Sequence, residues 1–338
     1  LDLSQQIQNH SNKINALASH HLTRQSNSIT ALETELSKLK SRRESRRNEA
    51  EEMVEATVSA VLSELGLGSF GPFDYPPVDI RFDNPPKLVV TSPRTSISRS
   101  DEALVVPGIP IGKRESIENN LFYEAGLSAI VTEIGGIATY PAIIAPSSSL
   151  QDILRTTAHE WIHHYLVFHL KPVGLQALKD PEMLTINETL ANLVGREIGN
   201  LAYKRLEGII NTPSKPLSEM SNIPGGKQFI FETEMRATRL QVDLLLSNSR
   251  VKEAEAYMDE RRRTFVENGY YIRKLNQAYF AFYGTYADQP QATSPIGNQM
   301  QELRRLIPSL KNFITEVSDV AHPDELDALV KKYRGYKR

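Results

Sequence analysis

The sequence predicts an α+β protein that is predominantly helical. Three observations predict it. The first 65 residues lack Pro and Gly and carry apolar residues at helical spacing. Residues 66–112 are instead cut by Gly and Pro into short apolar runs. From Ser149 onward, helical periodicity returns and dominates. The expected order is a long N-terminal helical, coiled-coil-like segment (1–66), a β-rich part (67–148), a helical body (149–320) and a charged tail (321–338), with 67–320 as one domain.

In the N-terminal segment, Ile29, Leu32, Leu36 and Leu39 recur at 3-4-3 spacing, with Ile7, Ile14 and Leu17 upstream. Val54, Val58, Val61 and Leu65 form a second stripe. One or two long helices are expected, as a coiled-coil hairpin or as a homo-oligomer contact. The basic run Lys38–Arg47 is answered by Glu49, Glu51, Glu52 and Glu55, which fits a solvated face laced by ion pairs. An anionic-membrane or nucleic-acid contact is the sharper reading of the same run.

Strands are expected over Val78–Phe82, Lys87–Thr91 and Ala103–Val106. Lys113–Ile134 has helical spacing and Gly135-Gly136 would stop it. Ile137–Ala145 then reads as a strand, with Pro141 arguing for a sheet edge. Helices are expected over Leu150–Leu170, Pro181–Ile210, Phe229–Ser247, Val251–Asn268 and Tyr270–Tyr286, with weaker ones over Gly297–Ile307 and Ser309–Val320. Asn211–Lys227 reads as a Pro-, Ser- and Gly-rich linker. The tail from His322 reads as frayed.

Composition narrows the chemistry. With 39 Lys+Arg against 41 Asp+Glu, the 338 residues carry a net charge of -2, so a basic nucleic-acid reader is not expected. There are no cysteines, which excludes disulfides, thiolate metal sites and a cysteine nucleophile. Any metal must be held by His, Asp or Glu. Of only 8 His, four (His159, His163, His164 and His169) fall within eleven residues. The longest apolar stretch, Ala125–Pro146, is broken by Glu133, Gly135-Gly136 and Pro141, so it fails as a membrane span. The chain begins at Leu1 rather than Met, so a fragment or processed product is expected. A membrane anchor or export signal upstream of Leu1 would decide its location.

The chemistry-bearing motif is His159-Glu160-Trp161-Ile162-His163. On a helix, residues four apart share a face, so both imidazoles can reach one metal ion. Glu160 lies about 100° around from His159, where it can touch a metal-bound water. Ser147–Ser149 form an N-cap cluster, and no Pro or Gly interrupts Leu150–Leu170. A catalytic zinc usually has three protein ligands. Glu188 follows His163 by 25 positions, enough to finish a helix, turn and enter the next. Asn192 and Gly195 share its face; Asn192 could orient a ligand histidine and Gly195 would permit close helix approach. His164 points away from this face, and His169 reads as structural.

His-Glu-x-x-His followed by Asn187-Glu188-x-x-Ala191 resembles the gluzincin metallopeptidases, and within them bacterial aminopeptidase-like proteins. The resemblance covers about residues 125–285 and includes Gly135–Tyr140 upstream and, as a weaker echo, Lys274–Tyr279. It implies a zincin-like catalytic body with one zinc per chain, held by His159, His163 and Glu188, with Asn187 and Asn192 supporting the ligands. It further implies a peptide substrate, with Glu160 moving the water proton to the leaving amine. A Tyr would stabilise the oxyanion; Tyr279, Tyr283 and Tyr286 are candidates, with Tyr283 ranked first. It also implies that the strand before the motif helix pairs with substrate backbone. Thermolysin-like members carry Asp where this chain has Asn192, and their second His and Glu are closer in sequence.

Arg236, Arg239 and Arg273 could bind a substrate carboxylate, whereas Arg261–Arg263 reads as a solvated face. The competing reading is a metal-binding scaffold or inactive peptidase homologue acting through its N-terminal helices. A third is a zinc hydrolase that does not act on peptides. Glu160 favours the peptidase, because a purely structural site needs no general base.

Overall fold

A computed structural model describes residues 6, 7, 9, 26–67, 69, 70, 73–146, 149–210 and 229–335. The expectations for Ile14, Leu17, Ser147-Ser148 and the linker 211–227 lie outside the described residues. The protein is α+β and predominantly helical, with small sheets. It divides into two compact units: one comprises Leu1–Asn84, Gly135–Trp161 and Gly195–Ile210, the other Pro85–Ile134, Ile162–Val194 and Asn211–Arg338. Among the described residues no helix is long and apolar enough to cross a membrane.

In the first unit, α1 (Ser26–Glu44) and α2 (Arg47–Glu64) are separated by a two-residue break. Of the second sequence stripe, Val54, Val58 and Val61 are buried, whereas Leu65 falls at the helix C-cap and is only half-buried; Leu62 is buried beside them. The strands β1 (Ser69–Phe70) and β2 (Phe73–Asp74) pair antiparallel. The sheet that matters for the site is three-stranded. Its members are β3 (Ile80–Phe82), β7 (Gly136–Ile137) and β8 (Ala142–Ile144), in the order β3-β8-β7. β8 pairs parallel with β3 and antiparallel with β7. The single strand expected over Ile137–Ala145 is therefore a tight β7–β8 pair. Pro141 lies in its turn, where a missing N–H costs no ladder bond. The outer side of β3 is closed by α2, whose Glu55 and Glu51 accept the N–H groups of Ile80 and Phe82 at 2.8 Å and 2.6 Å.

In the second unit, β4 (Lys87–Pro93) lies between β5 (Glu102–Val105) and β6 (Leu127–Thr132), antiparallel to both. α3 (Ile111–Glu124) covers β6. The sequence read Lys113–Ile134 as one helix, but the helix ends at Glu124. Gly126 then takes a left-handed φ of 67° and turns the chain into a strand. β6 is buried along nearly its whole length, so it shows no polar alternation to betray it.

Helices complete both units: α4 (Leu150–Phe168), α5 (Pro172–Gln176), α6 (Pro181–Ile210), α7 (Phe231–Ser247), α8 (Val251–Glu267), α9 (Gln277–Tyr283), α10 (Ile296–Leu306), α11 (Leu310–Ser318) and α12 (Pro323–Gly335). The helix expected over Tyr270–Tyr286 is only α9: Gly269 (φ 87°) follows the end of α8, residues 270–276 are irregular, and Asn276 caps the new start. The Asn276 side chain accepts the Tyr279 N–H at 2.9 Å. Nor is the charged C-terminal stretch frayed through Gly335. In α12, Leu326 and Val330 are buried one turn apart, and Arg334 forms an ion pair with Glu302 at 2.6 Å. The core of this unit joins Leu88, Val90 and Ile130 of the sheet to Met235, Val242, Met258, Phe265 and Phe280 of the helices.

Candidate metal centre

The motif lies within α4, an uninterrupted helix, so the geometry that the spacing requires is met. Ser149 starts it: its Oγ accepts the Asp152 N–H at 3.2 Å. One face of α4 is core, with Leu154, Ala158, Ile162 and Leu166 fully buried. Trp161 is buried too, and its indole N–H donates to the Pro76 carbonyl at 2.8 Å. His159 and His163 are half-buried on another face.

His163 Nε2 lies 3.8 Å from Glu188 Oε1, and both side chains are less than one-fifth exposed. His159 is one turn earlier on the same helix. One ligand atom from each of His159, His163 and Glu188 lies within 4.8 Å of the others. A separation of 3.8 Å is too long for a direct hydrogen bond. It is close to what two ligands of one ion require, since tetrahedral ligands about 2.0–2.1 Å from zinc stand roughly 3.3 Å apart. Two imidazoles and a carboxylate are also a donor set that suits zinc. The residues present therefore fit the ion that the motif implies.

α6 carries Glu188 and is shaped to approach α4. A Cβ on Gly195 would stand 2.9 Å from the His159 N and the Arg155 O; on Gly199 it would stand 2.6 Å from the Arg155 Cα. Backbone cannot yield at those distances, so only glycine permits this packing. Asn200 secures it, accepting from Arg155 Nη2 at 2.8 Å and Gln151 Nε2 at 3.0 Å.

Glu160 is buried and adjoins β7. A Cβ on Gly136 would stand only 2.6 Å from Glu160 Oε1. Among the described residues β7 is an edge of its sheet, and the Glu160 carboxylate lies against its Gly136.

The remaining expected residues distribute as follows. Asn187 is buried, with Nδ2 3.5 Å from the Val173 O, while its Oδ1 has no hydrogen-bond partner among the described residues. Asn192 donates to Asp288 Oδ1 at 3.0 Å. Tyr283 sits at the end of α9, its hydroxyl 3.4 Å from Thr132 Oγ1 and its ring 4.5 Å from that of Tyr279. Tyr279 belongs to the core; burial raises its phenol well above the ordinary value. His164 is buried edge-on to Phe168, and His169 stacks on Tyr165. Both behave as neighbours of the motif.

None of the three arginines offered for a substrate carboxylate is uncommitted. Arg236 donates to the Ala292 carbonyl, Arg239 to Asp243 and the Gln291 carbonyl, and Arg273 to Glu118 and the Val131 carbonyl. Arg261 is not on a solvated face either: it lies over Phe265 and bonds Glu234 and Thr238.

Sequence reasoning missed Arg99 and Asp288. Arg99 is half-buried; desolvation lowers its pKa below the ordinary value, while the charges of Tyr286 and Glu188 act to raise it. It pairs with Glu102 and donates to Thr285 Oγ1 at 3.3 Å. It comes from the connection between β4 and β5, far from the motif in sequence, and no local pattern marks it.

No protein-family model matches the chain, and neither the curated proteins nor the solved structures compared with it yield a match.

Proposed function

We propose that this chain is a zinc-dependent peptidase with a gluzincin-like, zincin-type catalytic body. The carrying observation is the convergence of His159, His163 and Glu188 beside a buried Glu160. His159, His163 and Glu188 would hold the ion. Bound there, zinc supplies Lewis-acid polarisation of the scissile carbonyl and acidifies water. Glu160 takes a proton from the attacking water and returns it to the leaving amine. The Gly136-Ile137 edge aligns substrate backbone by main-chain hydrogen bonds. Tyr283 is the first candidate for oxyanion stabilisation, with Tyr286 the alternative. Removal of N-terminal residues is the activity to test first.

The test is digestion of a peptide library by the zinc-loaded protein beside Glu160→Gln. The wild type should cleave, and the variant should retain zinc while losing about 10²–10⁴-fold in rate. A variant as active as the wild type would refute the assigned role.

A further inference from the structure

Asn192 stands one turn after Glu188 on α6, on the same face, and its immediate partner comes from outside the motif region. Its Nδ2 donates to Asp288 Oδ1 at 3.0 Å. The neighbouring Ala287 N–H donates to the Oγ1 of Thr189, a fully buried residue adjacent to Glu188, also at 3.0 Å. Two consecutive residues of the 284–295 connection are thus tied to α6 on either side of one helical turn. From behind, Gly297 of α10 closes the position: a Cβ there would stand 2.0 Å from the Ala287 carbonyl oxygen. The loop at Ala287-Asp288 is therefore pinned, not merely adjacent.

The chemistry of the pair is asymmetric. A carboxylate can only accept, so Asp288 selects the NH2 side of the Asn192 amide. The carbonyl oxygen is then left to the other side. An imidazole that binds a metal through one nitrogen carries its proton on the other and needs an acceptor for it. We propose that Asp288 is a positioning residue for the metal centre. It fixes the Asn192 amide so that Oδ1, not the NH2, is presented to a ligand imidazole, and its charge polarises that amide. A carboxylate held by a loop thereby supplements a neutral residue on the ligand helix. Without Asp288 the amide is free to rotate, and in half of its settings it sets an N–H against an N–H.

This inference rests on the reading of His159, His163 and Glu188 as a zinc site, and the experiment separates the two. Zinc affinity is measured by chelator competition on the full chain, with thermal unfolding of the metal-free protein as control. Asp288→Ala should weaken zinc binding about 10–100-fold, the usual cost of losing a group behind a ligand. The exchange Asn192→Asp with Asp288→Asn keeps the hydrogen bond, reverses its polarity and places an acceptor permanently on α6. It should restore affinity to the wild-type level or above. A purely structural contact would lower metal-free stability in Asp288→Ala without this selective rescue of zinc affinity. Unchanged zinc affinity in Asp288→Ala, or an exchange no better than the single variant, overturns the proposal. A wild type that binds no zinc overturns the metal site itself.

Discussion

Gly136 gives the sharpest test of how Glu160 is held. Gly136→Ala adds one methyl group to β7, 2.6 Å from Glu160 Oε1 and 3.0 Å from its Cγ and Cδ. The oxygen is about 0.8 Å inside ordinary van der Waals distance, so the carboxylate must move by that much. Glu160 is only 6% exposed, so it cannot swing into solvent without losing its place on α4. A general base works over a hydrogen-bond distance, and a misplacement of about 1 Å costs on the order of 10²-fold, or about 2.7 kcal/mol of transition-state stabilisation. The proposed ligands are untouched, since His159, His163 and Glu188 do not include the displaced group. The assay is kcat and KM on a cleaved peptide, alongside zinc content and melting temperature. The expected result is a kcat about 10²-fold lower with zinc content intact. An unchanged kcat would refute the placement of Glu160 as the base beside β7.

Two further outcomes follow from the same geometry. Glu188→Ala removes one of the three proposed ligands, so zinc affinity should fall steeply in chelator competition; equal affinity would assign the third ligand elsewhere. Glu118 tests the second unit's stability. Burial pushes its carboxyl up, but hydrogen bonds from Arg273 and the Val131 N–H, with Lys274 alongside, outweigh burial and hold its pKa below the ordinary value. A depressed carboxyl stabilises the fold above its unfolded pKa, and that contribution is lost as pH falls through the folded one. Glu118→Gln should therefore flatten the acid limb of stability against pH. It should also cost about 3 kcal/mol at neutral pH by leaving Arg273 without its charge partner. Denaturant melts at pH 3–7 would show otherwise if both slopes coincide.

The helices were legible because their apolar residues recur at the helical period and their ends carry punctuation. Pro181 opens α6 and the stripe Val54-Val58-Val61 marks α2. The candidate ligands were legible for the same reason, because helical spacing alone puts His159 and His163 on one face. Strand β6 was not, since burial on both sides removes the alternation that distinguishes strand from helix. The short β7 hides within a longer apolar run. Arg99 and Asp288 were invisible for a different reason. Each makes a hydrogen bond to a residue more than eighty positions away, Arg99 to Thr285 and Asp288 to Asn192, which no local pattern records.

The central claim is that three side chains from two helices hold one catalytic zinc. Elemental analysis of the purified chain, before and after incubation with zinc and desalting, tests it most directly. About one zinc per chain is expected, lost on His163→Ala. A protein that stays metal-free after reconstitution would contradict it.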